Sequence, residues 1–289
     1  MDLPIVVGVD GSKPSLRAVD WAADEAAVRG APLRLVHASL WERYEGVSLT
    51  ADLGKPSEQV MAEEIVATAE RRARRRQADA KISTDVLPEE PEYALVRESR
   101  SASAVVLGSR GRSGMAEALL GSVSVTVAGH AHCPVIVLPG SHDNQARSGA
   151  RARIAVGVAE DAESAAALHF ALEEARLRGV PLDAVRAWRC PAQSIDHGRL
   201  SGEAARQHQV RAGQVLEAAL REAPAEVEVH RRIVEGPARQ VLSAVSAEAD
   251  LLVVGARRRE GHYGLQLGRV VHAVLHHSAC PVAVVPQRA

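Results

Sequence analysis

The residues best suited to chemistry in this chain lie between Val105 and Ser122, in the segment VVLGSRGRSGMAEALLGS. Gly108 ends a short apolar run, Gly111 follows after two residues, and Gly121 follows after nine more. Glycines let a backbone approach a ligand without a Cβ in the way, and the start of a helix offers free N–H groups and a positive dipole end. This spacing predicts a phosphate cradle; the alternative is an ordinary strand–loop–helix turn with Ser122 as its N-cap.

The elements that must position these glycines follow from the surrounding pattern. Short apolar runs, typical of buried strands, alternate with segments whose apolar residues recur at helical spacing. A predicted helix begins at Ser122, and the hydroxyls of Ser122 and Ser124 add two donors to the cradle. Alternating strands and helices require crossover connections, which predicts a parallel sheet with helices on both faces. Ligands bind at the carboxyl ends of such strands, so Asp10, which ends the first strand, is expected to meet the cradle.

The second half of the chain repeats the first. Residues 251–286 align with 104–139 at a constant offset of 147, and residues 154–161 align with 5–12 at an offset of 149. A period of this length corresponds to a whole domain rather than to a solenoid unit. We therefore predict two tandem α/β domains, each with a five-stranded, mostly parallel sheet. The predicted boundaries are 1–140 for the first domain, 141–152 for a polar linker and 153–289 for the second domain.

Composition narrows the classes of function. The chain has 35 basic and 36 acidic residues and a net charge of −1, which provides no general attraction to nucleic acid or anionic lipid. One basic cluster, residues 71–76, ends a predicted helix where cations favour the dipole, and no aromatic residues interleave with it. We expect no nucleic-acid or membrane partner. The lack of a signal-peptide pattern and the odd count of 3 cysteines favour a cytoplasmic location.

Three motifs together carry a resemblance to a known family. With VVGVDGS near the start, the G-2x-G-9x-G-S spacing of residues 108–122 and the closing CPVIVLP, the sequence resembles the universal stress protein family in its tandem form. The resemblance covers nearly the whole chain, and the glycine spacing looks like the ATP-binding type of the family. It implies a flavodoxin-like or adenine-nucleotide hydrolase-like α/β domain and a site for ATP, with or without Mg²⁺.

The resemblance also implies which residues contact the nucleotide. They are Val9, Asp10, Ala38, Leu107, Gly108, Gly111, Gly121, Ser122, Val123 and Ser124. Asp10 would contact the ribose or adenine side, Val9 and Ala38 would border the base, and the residues from Gly111 onward would hold the phosphates. Ser12 is a further candidate for phosphate or metal contact. From the residues alone, Asp10 followed by Gly11 could equally form a simple turn after a strand.

The second half lacks the polar anchors of this motif, and we expect it to have lost the nucleotide site. The replacements are Ala159 for Asp10, Arg258 for Gly111, Arg269 for Ser122 and Val271 for Ser124. Two arginines could instead bind an anion. The first half departs from the second once, because Glu89 stands where the second half has Gly236, and this affects the expected shape of the first pocket.

The expected function is therefore binding rather than dedicated catalysis. We find no nucleophile–base set of the hydrolase kind, and Cys133 and Cys280 are expected to be small buried hydrophobes. The interpretation is an ATP-binding regulatory protein of the stress response, with an unidentified protein partner. The alternatives are a slow ATPase and a scaffold that binds no nucleotide. The resemblance further implies that the closing strands pair, giving an internal pseudo-dimer or a homodimer.

Overall fold

The structure is a computed structural model that describes residues 2–40, 57–109, 120–140, 152–160, 164–189, 200–256 and 267–287. The chain divides into two units, Met1–Asn144 and Gln145–Ala289. Of the predicted linker, only residue 152 lies among the described residues. None of the described helices combines the length and the apolar character that crossing a membrane requires.

The first domain alternates strands and helices as the sequence pattern predicts. Its strands are β1 (Ile5–Gly8), β2 (Leu33–Ala38), β3 (Ile82–Leu87), β4 (Ala104–Gly108) and β5 (Val135–Leu138). Its helices are α1 (Lys13–Arg29), α2 (Ser57–Arg76), α3 (Pro91–Glu98) and α4 (Ser122–His130), with a 3₁₀ turn at Ser99–Ser101. The strands lie in the order β3-β2-β1-β4-β5 and every neighbouring pair is parallel. The order reverses between β1 and β4, which is where α/β sheets bind ligands.

The second domain repeats this arrangement. Its strands are β6 (Ile154–Gly157), β7 (Leu182–Trp188), β8 (Val229–Glu235), β9 (Leu251–Ala256) and β10 (Val282–Pro286). Its helices are α5 (Ala165–Arg178), α6 (Leu200–Ala219), α7 (Ala238–Ser246) and α8 (Arg269–His277). The order β8-β7-β6-β9-β10 is again parallel throughout. The predicted α/β fold, present twice in tandem, is confirmed.

Burial explains why the central strands are almost uninterrupted runs of aliphatic residues. β1 and β4 are buried along nearly their whole length, whereas β3 at the end of the order is half exposed. A parallel sheet that carries helices on both faces leaves no face of its central strands in water. Hydrophobic alternation is therefore absent from β1 and β4, and short apolar length is the signal that identifies them as strands.

The basic cluster of residues 71–76 lies at an exposed helix end, and two of its arginines pair with acids of α1. The guanidinium of Arg72 donates two hydrogen bonds to Asp20, at 2.7 and 2.6 Å, and Arg76 donates two to Asp24, at 2.9 and 2.8 Å. Both acids lie on α1, so the paired arginines connect α2 to α1. Bidentate arginine–carboxylate pairs are geometrically specific, so Arg72 and Arg76 have a structural role between the two helices.

One ion pair occurs in both domains with its charges exchanged. In the first domain Arg34 on β2 bonds Asp85 on β3 at 2.6 Å. In the second domain Asp183 on β7 bonds Arg232 on β8 at 3.0 Å. Arg34 aligns with Asp183 at the offset of 149, and Asp85 aligns with Arg232 at the offset of 147. The fold therefore accepts this ion pair in either orientation.

His230 gives the second domain a predicted pH dependence. Hydrogen bonds to the carboxylates of Glu228 and Asp183 raise the pKa of His230. A group with a raised pKa stabilises the fold fully below its unfolded pKa, about 6.5, and loses this contribution as the pH rises through the folded pKa. We expect unfolding at a lower temperature at pH 8 than at pH 6, and a smaller difference in His230→Gln. The effect should be small because the side chain is 42% exposed.

Differential scanning calorimetry at the two pH values measures this difference. The matched control is His169→Gln, which removes an exposed histidine from α5 in the same domain. It should leave the pH dependence unchanged. If His230→Gln also leaves it unchanged, the assignment to His230 is wrong.

Candidate functional site

A cavity of about 280 Å³ opens at the carboxyl ends of β1, β2 and β4. It lies at the point where the strand order reverses. Its described lining residues are Gly8, Val9, Asp10, Ser15, Val36, Ala38, Pro91, Leu95, Leu107, Gly108, Gly121, Ser122, Val123 and Ser124. The lining includes aliphatic side chains and the start of α4, so the cavity combines an apolar surface with backbone donors, as ligand sites commonly do.

The structure brings together most of the residues named from the sequence. Val9, Asp10, Ala38, Leu107, Gly108, Gly121, Ser122, Val123 and Ser124 all line this cavity. Ser12 does not line it, because its side chain caps α1 by accepting from the amide of Ser15 at 3.3 Å. Gly111 lies outside the described residues.

Asp10 stands at the turn between β1 and α1. Its Oδ1 accepts a hydrogen bond from the amide of Ser12 at 2.9 Å, and Gly11 between them has a φ of +80°, a backbone angle that glycine adopts without strain. This is the side-chain turn that the residue types alone allow. The same bond fixes the carboxylate at the rim of the cavity, so the turn and a binding role are compatible.

The start of α4 supplies backbone donors. Gly121 is the N-cap, with φ −69° and ψ 148°, and no side chain caps the helix. The N-cap is therefore Gly121 and not Ser122. The hydrogen bonds of the helix begin with the amide of Val125, which donates to the carbonyl of Gly121 at 3.2 Å. The three preceding amides, from Ser122 to Ser124, have no partner within the helix, and their residues line the cavity.

The two serine hydroxyls expected to donate to phosphate already donate to protein atoms. Ser124 Oγ, which is buried, donates to the carbonyl of Gly108 at 2.7 Å. Ser122 Oγ donates to Oε1 of Glu92 at 3.3 Å. A hydroxyl has a single hydrogen to donate, so Ser124 connects α4 to β4, and only a rearranged Ser122 hydroxyl can donate to a ligand.

Five lining residues were missed from the sequence. They are Gly8, Ser15, Val36, Pro91 and Leu95. The helix residues among them come from the first turn of α1 and from α3. The spacing of the motifs predicts only the residues at strand ends and in the glycine loop. It does not predict which residues of α1 and α3 face the cavity. The aliphatic residues among them widen the apolar wall.

Glu89 changes the loop before α3 but not the cavity lining. Its carboxylate pairs with Arg97, and Glu89 is not among the described lining residues. Gly236, at the aligned position, has a φ of +147°, an angle that side chains rarely adopt. Among the described non-glycine residues only Ala152 has a positive φ, so the loop at Glu89 takes a different backbone conformation.

Two short stretches gather potential metal ligands, residues 130–133 and residues 276–280. In the described part of the chain, no group of three His, Cys, Asp or Glu side chains could hold a metal ion. Cys133 and Cys280 are buried free thiols, as predicted. Burial raises the pKa of Cys133 to about 12, so its thiol stays protonated at neutral pH, and a protonated thiol is a poor nucleophile.

Two hydrogen bonds at the carboxyl end of β1 have counterparts at the carboxyl end of β6 in the second domain. Ser15 Oγ accepts from the amide of Asp10 at 3.4 Å, and in the second domain Ser164 Oγ accepts from the amide of Ala159 at 2.5 Å. Likewise the carbonyl of Val9 bonds to the ring Nδ1 of His37 at 2.7 Å, and that of Val158 accepts from Arg186 at 3.1 Å. The frame of the site is thus present in both domains.

The chemistry of the second domain differs at this place. Ala159, Arg269 and Val271 stand where the first domain has Asp10, Ser122 and Ser124. The cavity described in the second domain, of about 270 Å³, is lined by residues from α5, α6 and the turn before α5, with none from α8 among them. The carboxylate of Asp10 and the hydroxyls of Ser122 and Ser124 therefore have no counterparts at the equivalent positions.

Comparison with known proteins gives matches to one family along nearly the whole chain. The model of the universal stress protein family matches residues 3–139 and 151–286. A universal stress protein of Mycobacterium tuberculosis is 34% identical, over 98% of this chain and 97% of its own length. The crystal structure of a universal stress protein from Archaeoglobus fulgidus DSM 4304 has a TM-score of 0.63 at 19% identity, over 99% of this chain and 96% of that one. A shorter universal stress protein, solved in complex with cAMP, is 32% identical over 47% of this chain, with a TM-score of 0.35.

Proposed function

Because this chain belongs to the universal stress protein family, we propose that its first domain binds ATP and that the protein acts as an ATP-responsive regulator in the stress response. The observation that carries the proposal is the junction of two surfaces in one cavity, the aliphatic wall beside Ala38 and the unpaired amides at the start of α4. An adenine base fits the first surface and a phosphate fits the second.

The proposed pose follows from which groups line each part of the cavity. The base lies against Val9, Val36 and Ala38, where the surface is apolar. The carboxylate of Asp10 accepts from the ribose hydroxyls. The phosphates lie at the amides of residues 122–124, where the helix dipole favours negative charge. Leu107 and Gly108 form the floor between base and phosphate. Gly111 is proposed as a further phosphate contact from its place in the glycine spacing.

We propose one nucleotide for each chain, bound in the first domain. The side chain of Ala159 cannot accept a hydrogen bond from a ribose hydroxyl, and the side chain of Val271 has no hydroxyl. The second domain is then a structural or regulatory copy.

The proposal places the protein in the cytoplasm and includes pairing of the closing strands β5 and β10, within one chain or between two chains. The apolar, proline-flanked sequences of these strands support the pairing, and sedimentation of the intact protein measures its oligomeric state.

Binding of radiolabelled ATP to the full chain tests the proposal. We expect one ATP for each chain, and binding at least tenfold weaker in the double variant Asp10→Ala/Ser122→Ala, which removes the ribose acceptor and one phosphate donor. Arg269→Ala, at the position equivalent to Ser122, is the matched control and should bind as the unchanged protein does. Repeating the titration with EDTA decides whether Mg²⁺ is required. A protein that binds no ATP, or a double variant that binds normally, would refute the proposed function.

A further inference from the structure

Glu92, in the first turn of α3, lies against the proposed phosphate end of the cavity. Its Oε1 accepts the hydrogen bond from Ser122 Oγ at 3.3 Å, and Ser122 is the first residue of α4. An acidic side chain in the first turn of α3 is favourable for the dipole of α3 itself. That explains the residue type but not the contact with Ser122, which brings a carboxylate to the start of a second helix.

This contact puts Glu92 in competition with any phosphate bound at α4. The hydroxyl of Ser122 has one hydrogen, so it can donate to Glu92 or to a phosphate oxygen but not to both. The start of a helix attracts anions, and a carboxylate that is already there repels a second anion. A ligand's phosphate chain must therefore displace the carboxylate of Glu92 or bind beside it.

No described lining residue of the cavity carries a positive charge that would offset this repulsion. The arginine of α3, Arg97, bonds instead to Glu89 and Glu98. Asp10, the other carboxylate of the site, lies at the proposed ribose end. At the start of α4, the charge of Glu92 is therefore not offset by any cation among the described lining residues.

The second domain indicates that the fold does not require an acid at this position. Arg239 aligns with Glu92, and Arg269 aligns with Ser122, both at the offset of 147. The side chains of both arginines are exposed. The same two helix starts therefore carry Glu and Ser in one domain and two arginines in the other. The fold accepts either charge at these positions.

We propose that Glu92 is a specificity-determining residue, which weakens nucleotide binding more strongly with each additional phosphate. The inference rests on the proposed function, since it concerns the same cavity. As a consequence, removing this carboxylate should increase the preference of the site for ATP over ADP and for ADP over AMP.

Calorimetric titration with adenosine, AMP, ADP and ATP tests the inference. The titrations use the full chain in EDTA, so that no divalent cation bridges carboxylate and phosphate. Glu92→Gln keeps the size of the side chain and removes its charge. We expect it to bind ATP about tenfold more tightly, which corresponds to about 1.4 kcal/mol, to bind ADP more tightly by a smaller factor, and to bind adenosine unchanged.

The matched control is Glu90→Gln, which makes the same change of charge two residues away, at an exposed N-cap that makes no side-chain capping bond. It should alter ATP affinity much less than Glu92→Gln does. Equal effects of the two variants would mean that only net charge matters, and an unchanged or weaker ATP affinity in Glu92→Gln would mean that Glu92 does not compete; each overturns the inference. If none of the four ligands binds any of the three proteins, the proposed function fails and the inference falls with it.

Discussion

Gly108→Ala is expected to destabilise the first domain by about 2–3 kcal/mol, the upper part of the range of about 1–3 kcal/mol that is typical of forced overpacking, and to abolish nucleotide binding. A Cβ at this position would lie 2.7 Å from the carbonyl carbon of Pro14 and 2.9 Å from its oxygen. These are backbone atoms of the first turn of α1, so relief requires the helix to move. Movement of α1 would carry Ser15 away from the amide of Asp10 and disturb the rim of the cavity.

Urea unfolding of the full chain measures this loss, and ATP titration measures the effect on the site. The matched control is Gly268→Ala, at the N-cap of α8, where a Cβ would meet nothing within 4 Å and φ is −60°. It should cost less than about 1 kcal/mol, as expected for alanine at an N-cap. Equal losses in the two variants would show that the close approach of α1 to Gly108 does not decide the stability.

Asp183→Ala is expected to destabilise the second domain by about 2–3 kcal/mol. Asp183 is 1% exposed. Its Oδ2 accepts from Arg232 at 3.0 Å and from Arg153 at 3.4 Å, and its Oδ1 bonds His230 at 3.1 Å. Although burial raises the pKa of Asp183, the hydrogen bonds with Arg232 and His230 lower it overall. Removing one member of a buried charge network typically costs 3–5 kcal/mol, and the expected loss is smaller because the basic partners reach water.

The depressed pKa also gives the direction of the acid response. The contribution of Asp183 is present above its unfolded pKa, about 3.9, and is lost as the pH falls through its folded pKa. Asp183→Ala should therefore differ from the unchanged protein most at neutral pH and less in acid. Asp85→Ala is the matched control, since it breaks the ion pair with the opposite orientation at a side chain that is 41% exposed. It should cost less than about 1 kcal/mol; a loss as large as that of Asp183→Ala would contradict the role assigned to burial.

The strands and most of the cavity could be predicted because their signals are local. Ile5–Gly8 and Ala104–Gly108 are apolar runs bounded by glycine, and parallel topology then brings their carboxyl ends together. The place of Leu95 in the cavity and the contact of Glu92 with Ser122 could not be predicted in the same way. Both depend on the angle at which α3 packs. The hydrogen bond from the Ser124 hydroxyl to the carbonyl of Gly108 could not be predicted either. Sequence spacing identifies a donor but not its acceptor.

The hydrogen bonds of Ser15 and Ser164 to the amide after the first strand have a consequence for how duplicated domains diverge. These bonds and those of His37 and Arg186 hold the backbone of each copy, so losing one would weaken folding. The side chains at positions 10 and 159 differ although the bonds to the backbone around them are kept. A duplicated domain can thus keep the backbone framework of a site while the side chains on that framework change, so a few substitutions could give one copy a different specificity.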